Sequence, residues 1–511
     1  MCILPSINIL QKYYKRTIYF SIFKHQLHIH HQAITLSVID RSKTKQSMKK
    51  QQLHRRNFLK TTVAAGVGLS LLDTPARLFA NVKKEKVRVG LIGVGARGQG
   101  HLSLCLHRDD VDVVAIADPD VNFAIPQCRE LITKVYGGKR KVVEYTNGPE
   151  DFYNLLKRDD IDAVIIATPW EWHTIQAVAA MKAGKTPAVE VCGASDVQEC
   201  WSLVNTSEDT GIPLFGMENV CYRRDVMAVL NMVRQGLFGE ITHLQGGYQH
   251  DLRPIKFNNG KQISGGGVEF GDKAISEAKW RTNHSVHRNG DLYPTHGLGP
   301  VSNMININRG NRLLSLTSVA TKARGLHKYI VEKGGADHPN AKVEFKLGDI
   351  VTTLIRTNNG ETIMLSHDTN SPRPYSLNFR VQGTNGLWMD DKASVYVEGK
   401  SPYDEWEKAG DEKTAGSYME KYDHPLWKRF TSSAAGAGHG GMDWYVMNSF
   451  IESIKRGAPY ALDVYDLATW YAITPLSEQS VAEGGNIQYI PDFTRGRWMN
   501  RKPIFALDDQ Y

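Results

Sequence analysis

The stretch VRVGLIGVGARG at residues 87–98 constrains this chain more than any other. An apolar run leads into Gly93-x-Gly95-x-x-Gly98. Twenty residues on, VVAIADPD closes a second apolar run with Asp118. Strand, glycine turn, helix, strand and acid in this register describe a βαβ unit whose first turn is shaped for a pyrophosphate. Gly93 permits the tight turn, Gly95 lets phosphates approach the backbone, and Gly98 lets the helix pack close to the sheet. The helix N-terminus adds free N–H groups and the positive end of its dipole. Asp118 is placed to accept hydrogen bonds from an adenosine ribose, which selects NAD over NADP.

The pattern continues as a doubly wound sheet. Strands are expected at 141–145, 161–169, 186–193 and 212–219, with helices at 149–157, 174–184 and 195–209 between them. The character then changes. After a helix at 224–235, β-type segments cover 313–321, 342–357, 361–369, 376–386 and 386–399, several separated by Gly/Asn turns. A long polar loop region covers 400–440, followed by helices at 442–456 and 464–482. The fold class is therefore α/β: a Rossmann dinucleotide-binding domain at 81–220 and an α+β domain at 221–511 with a large, mainly antiparallel sheet.

The net charge of +8 is misleading, because residues 1–80 hold 13 Lys+Arg against 2 Asp+Glu. The rest is near neutral without a basic stripe, which argues against nucleic acid. His54-Arg55-Arg56-Asn57-Phe58-Leu59-Lys60 precedes TTVAAGVGLSLL and small residues near Ala80. Twin arginines before a modest apolar run resemble a bacterial Tat export signal, so the Tat machinery is an expected partner and the periplasm the expected location. The run is too short for a permanent membrane span. Residues 1–47 fit no signal, and Met48 is the expected true start. Tat substrates fold and load cofactors before export, which suits a protein that holds NAD tightly. The body's five cysteines lie in apolar contexts and read as core residues, not disulfides.

Ligands of open α/β sheets bind at the carboxyl ends of the strands. Three segments fall there: Trp170-Glu171-Trp172-His173, Glu190-Val191-Cys192 and Glu218-Asn219. The two tryptophans suggest a wall beside the nicotinamide or ribose, or else a pair of aromatics covering the top of the sheet. Farther on, RTNHSVHRNGDLYPTHGLGP (281–300) is the densest polar-aromatic stretch, without helix or strand period before residue 293. Tyr293 and His296 precede a buried helix at 296–307, a placement suited to proton transfer. The other reading of His296 is a helix-terminal histidine bonded to backbone. No HExxH or Cys/His spacing occurs, so no metal is expected.

The two-domain pattern resembles the Gfo/Idh/MocA oxidoreductases, whose Glu-Lys-Pro signature reads Glu190-Val191-Cys192 here, without the lysine. The blocks GVGARGQGH, ATPWEWH, EVCGA, GMENVCYRRD, RTNHSVHRNGDLYPTHGLGP and GMDWYVMNSFIESI, behind a Tat-type leader, resemble glycoside hydrolase family 109, the NAD-dependent α-N-acetylgalactosaminidases. The resemblance implies cofactor contacts at Ala96, Arg97, Asp118, Trp170 through His173, Glu190, Val191 and Asn219. It implies sugar contacts at Tyr248, Arg281, Tyr293, Pro294, Thr295, His296 and Tyr375. The implied reaction oxidises the sugar at C3, eliminates the glycosidic oxygen, adds water and reduces C3 again, with no net redox. His296 and Tyr293 would handle the C3 hydroxyl proton, and Tyr248 or Tyr375 the C2 proton or leaving group. Arg281 would hold the sugar. The substrate would be a glycan or glycoconjugate, and a homo-oligomer is allowed. The alternative is an NAD-dependent sugar or polyol dehydrogenase.

Overall fold

The computed structural model describes residues 85–410 and 417–511. The Tat-type leader and the Met48 start lie outside the described residues. The first sheet contains β1 (Val87–Ile92), β2 (Val111–Ala117), β3 (Val143–Tyr145), β4 (Ala163–Ile166), β5 (Thr186–Val189) and β6 (Phe215–Gly216). They run in the order β3-β2-β1-β4-β5-β6, every pairing parallel. The chain reverses winding direction between β1 and β4, which opens a crevice at the carboxyl ends of these strands. The four residues of β4 are all buried, as their unbroken apolar run requires. All five described cysteines are buried and unpaired.

The second sheet adds β7 (Ile241–Gln249), β8 (Leu313–Ala320), β9 (Ile350–Thr357), β10 (Thr362–Asp368), β11 (Arg380–Gly383), β12 (Gly386–Met389), β13 (Ser394–Val397), β14 (Glu407–Lys408) and β15 (Gln488–Tyr489). Its order is β14-β13-β12-β11-β7-β10-β9-β8-β15. All neighbours are antiparallel except β7 and β10, which run parallel. One face carries Leu244, Tyr248, Val351, Ile355, Ile363 and Leu365 inward. It is covered by the helices Thr295–Met304 and Ile473–Ala482. Leu354, 49% exposed, and Val319 look outward.

Several expected elements resolve differently. Only Ile350–Thr357 of 342–357 is a strand, and Pro339–Lys342 is a 3-10 turn. The β-type segment 386–399 is a hairpin of β12 and β13. The region 400–440 contains the helix Pro425–Ala434, begun by a proline with the His424 ring accepting the Leu426 N–H. The helix expected at 464–482 is two, Val464–Tyr471 and Ile473–Ala482, broken just before Pro475, whose ring leaves no N–H to donate. The aperiodic start of the 281–300 stretch is a short helix, Arg281–His287.

Two glycines bring helix and sheet together. A Cβ at Gly297 would lie 2.7 Å from Gly247 Cα, and one at Gly246 would lie 2.9 Å from Gly297 Cα. The helix that starts beside His296 thus rests directly on the backbone of β7. Gly297→Ala should destabilise the protein by about 1–3 kcal/mol in urea denaturation, through overpacking. Activity should fall further than the unfolded fraction accounts for, because His296 moves with the helix.

The turn before this helix is held by Asp291. Its backbone N–H donates to Ser477 Oγ, its carbonyl accepts from Thr474 Oγ1 (2.8 Å), and its carboxylate accepts the Tyr293 N–H at 3.1 Å. Burial pushes its carboxyl up to about 7. The folded protein then binds a proton that the unfolded chain releases near pH 4, so stability falls as pH rises from about 4 to about 7. Three pH units correspond to about 4 kcal/mol. Asp291→Asn should flatten this slope in denaturant titrations across that range, and an unchanged slope would refute the assignment.

Candidate active site

The glycine loop leaves β1 at Gly93 with φ +83° and enters the helix Ala96–Leu106 with Gly95 as its cap. No side chain caps that helix, and the space a Cβ would fill at Gly95 is open. Free N–H groups beside open space fit a pyrophosphate. At Gly98 a Cβ would lie 2.9 Å from the Gly93 carbonyl carbon, so the close helix–turn packing demands glycine. Asp118, at the end of β2, accepts the Val94 N–H on one oxygen (2.8 Å) and the Asp120 N–H on the other (2.9 Å). Each oxygen keeps a second lone pair for a ribose hydroxyl.

Arg97 points across the crevice. Its Nε donates to Glu190 Oε1 at 2.5 Å, and its two terminal nitrogens donate to Asp443 at 2.8 and 3.0 Å. Asn219 Nδ2 donates to the same Asp443 at 2.8 Å, and the His439 ring lies 2.7 Å from it. Glu190 Oε1 also lies 2.6 Å from His101 Nε2, while Oε2 accepts the Val191 N–H. Burial opposes ionisation of Glu190, yet the Arg97 charge and the His101 bond hold its carboxyl far below the usual range. Asp443 is depressed likewise: the His439 bond and the Arg97 charge outweigh burial. The structure therefore joins three residues expected to touch cofactor, Arg97, Glu190 and Asn219. It adds Asp443, His101 and His439. Asp443 carries no local signal beyond an acid in the first turn of an amphipathic helix.

The WEWH segment splits. Trp170 is buried against Trp280, His284 and Tyr293, with ring centroids 5.1, 4.9 and 5.9 Å away. Trp172, two positions on and therefore on the other side of the helix, packs edge-on against Phe152 instead. The expected double wall is one tryptophan. Glu171 is exposed and lies 3.5 Å from His284 Nε2. The buried His173 spans two carbonyls, Cys192 O at 2.5 Å and Thr168 O at 2.8 Å. Burial pushes its imidazole below the ordinary range despite both bonds. It braces the strand ends, whereas Val191 is an apolar buried side chain.

The 281–296 stretch and the second sheet build the other wall. Arg281 lies over the rings of Trp170, Trp280 and Tyr293 at 4.9, 5.4 and 5.6 Å, and its Nε faces Glu277 at 2.7 Å. Tyr248 on β7 stacks on Tyr293 at 4.2 Å, and both lie near His296, at 5.4 and 4.9 Å. Tyr248 Oη is 3.2 Å from His250 Nδ1, and His250 meets Tyr375 edge-on at 5.0 Å. His296 Nδ1 is bonded to Glu218 Oε1 at 2.7 Å, not to backbone. Pro294 caps the following helix, and Thr295 Oγ1 sits 4.0 Å from Cys192 Sγ, which sets this wall beside the end of β5. Burial pushes the phenols of Tyr248 and Tyr293 above the ordinary range, whereas Tyr375 is half exposed. His250 is pushed down by burial and by the Arg281 charge. His367, buried beside Tyr248 on β10, is pushed down to about 3 by burial and the charges of Lys256 and Arg281.

Residues 222–500 match the family model for the glycosyl hydrolase 109 C-terminal domain, and residues 87–215 match that for the oxidoreductase family, NAD-binding Rossmann fold. A glycosyl hydrolase family 109 protein of Stenotrophomonas maltophilia is 50% identical over 462 residues, 90% of this chain and 99% of that protein. A protein of Tannerella forsythia named alpha-N-acetylgalactosaminidase is 50% identical over 473 residues, covering 89% of this chain and 99% of the relative. Among solved structures, levoglucosan dehydrogenase in complex with NADH shares the fold at TM-score 0.54 and 20% identity, over 80% of this chain and 100% of that one. The chain belongs to glycosyl hydrolase family 109: it is a glycoside hydrolase that carries an NAD-binding Rossmann domain.

Proposed function

We propose that this protein removes terminal α-linked N-acetylgalactosamine from glycans by oxidation, elimination, water addition and reduction. The relative named alpha-N-acetylgalactosaminidase supports the substrate. One observation carries the mechanism: three carboxylates around the aromatic wall are each committed to an arginine or an imidazole. Glu218 holds His296, Glu277 faces Arg281, and Glu190 is bound by Arg97 and His101. A glycosidase of the ordinary kind needs two carboxylates flanking the scissile bond. Here phenols and imidazoles converge instead, across from a cofactor loop.

Held at the Gly93–Gly98 loop and Asp118, NAD would supply a hydride acceptor for C3 of the sugar that is restored within each turnover, with no net redox. The chain's own groups move the protons. His296, its Nδ1 committed to Glu218, presents Nε2 to take the C3 hydroxyl proton, and Tyr293 orients that hydroxyl. The C3 ketone acidifies the C2 proton. Tyr248 takes this proton as its own phenol proton passes to Nδ1 of His250, 3.2 Å away. As C2 loses it, the C1–O bond breaks and its electron pair leaves with the glycosidic oxygen, which is protonated from the Tyr248–Tyr375 side. Water then adds its hydroxyl to C1 and a proton to C2, and His296 returns its proton as C3 is reduced. Arg281, fixed among three aromatic rings, holds the sugar together with Pro294 and Thr295. The Tat-type leader supports export of the folded, NAD-loaded protein to the periplasm. Leu354 and Val319 on the open sheet face support a homo-oligomer.

Incubation of purified protein with an aryl α-N-acetylgalactosaminide in D2O should release the aryl group, place deuterium at C2 and leave no net reduced nicotinamide. Release without C2 deuterium would refute the elimination. Net nicotinamide reduction without release would indicate a sugar dehydrogenase. Tyr248→Phe should retain NAD and oxidise C3 but stall there. Aryl release should drop by about 10²–10⁴-fold while reduced-nicotinamide absorbance accumulates on the enzyme.

A further inference from the structure

Glu218 follows β6 and opens the 3-10 turn Asn219–Tyr222. Its Oε1 accepts both the Val220 N–H (3.0 Å) and the His296 Nδ1–H (2.7 Å). The residue is 0% exposed, and its Oε2 has no hydrogen-bond partner among the described residues. Space for it is cut into the facing helix: a Cβ at Gly299, one turn past His296, would lie 3.0 Å from Glu218 Cγ and 3.2 Å from Cys221 Sγ. A buried carboxylate with one oxygen unsatisfied costs free energy that a turn cap does not require. Serine or asparagine would cap Val220 as well. Among the described residues, the side chain that uses the charge is His296.

We infer that Glu218 is the positioning residue for His296. It fixes the imidazole as the Nδ1–H tautomer, turns Nε2 toward the sugar, and balances the imidazolium formed when Nε2 takes the C3 hydroxyl proton. This role rests on the proposed function only for the identity of that proton. The tautomer and the orientation follow from the Glu218–His296 contact itself. The balance is complete: the O–H proton passes to Nε2 and leaves Nε2 again when C3 is reduced.

The test compares wild type with Glu218→Leu, which removes the acceptor, and Glu218→Gln, which keeps an oxygen acceptor without charge. Side-chain 15N spectra of the substrate-free protein, with His296 assigned by difference against His296→Asn, should show Nδ1–H in wild type and loss of that preference in Glu218→Leu. In the D2O assay both variants should retain NAD and nearly unchanged KM. The kcat of Glu218→Leu should fall by about 10²–10⁴-fold, the contribution of a positioned general acid–base. Glu218→Gln should keep the tautomer and still lose kcat. A Glu218→Leu protein with the wild-type tautomer, or with wild-type kcat, overturns the inference. If wild type itself exchanges no C2 proton, the proposed function fails, and the spectra still decide the role of Glu218.

Discussion

Arg97 is the joint on which the cofactor crevice depends. One guanidinium from the first turn after the glycine loop binds Glu190 at the end of β5 and, bidentately, Asp443 on the helix Met442–Arg456. Taking these charges out of water is costly, and the pairing recovers that cost only because every bond is short and the geometry is fixed. Removing one partner leaves an uncompensated buried charge, at about 3–5 kcal/mol. Two carboxylates against one arginine leave the cluster negative, which is why His101 and His439 crowd against it. What the network gains is position. The helix N-terminus that faces phosphates, the end of β5 and the Asn219 turn are locked to one another before any ligand arrives.

That joint also marks where sequence reading ends. The glycine turn, Asp118 and the alternating strands were legible because each signal is local: a turn needs its glycines within six residues, and a buried strand needs a continuous apolar run. Asp443 has no such signal, because its partner is 346 residues away. Trp170 and Trp172 look alike in sequence, and only the helical phase separates the one facing the site from the one facing Phe152. The helix Arg281–His287 was hidden because Arg-Thr-Asn-His-Ser-Val-His carries no apolar stripe. It is held by tertiary contacts, with Thr282 bonded to the Lys256 carbonyl and Trp170 stacked on His284. Residues 386–399 read only as β-type, without their hairpin, because a Met-Asp-Asp-Lys turn lacks the Asn-Gly pair that announces one.

The second wall is organised by aromatic contact and by burial. Tyr248, Tyr293 and Trp170 form a continuous surface with Arg281 laid over it, and the arginine charge opposes the desolvation of the phenols. Burial wins, so these tyrosines keep their protons at neutral pH, and the groups that accept protons are imidazoles. His250 and His296 each sit within one ring of Tyr248. A site of this kind separates its tasks by residue type: phenols donate and imidazoles receive.

The absent lysine follows from the same arrangement. At the end of β5 the broader oxidoreductase pattern carries Glu-Lys-Pro, whereas here Glu190 is followed by Val191 and Cys192. The neighbourhood already holds Arg97 on one side and Arg281 on the other, and Cys192 Sγ lies against Thr295 in the opposite wall. A further ammonium there would compete with Arg97 for Glu190, which Arg97 and His101 already bind. With valine at that position, proton handling at the sugar falls to His296, which has its own buried carboxylate. Reversible oxidation then needs only a group that lends a proton and takes it back, and an imidazole held by Glu218 meets that requirement.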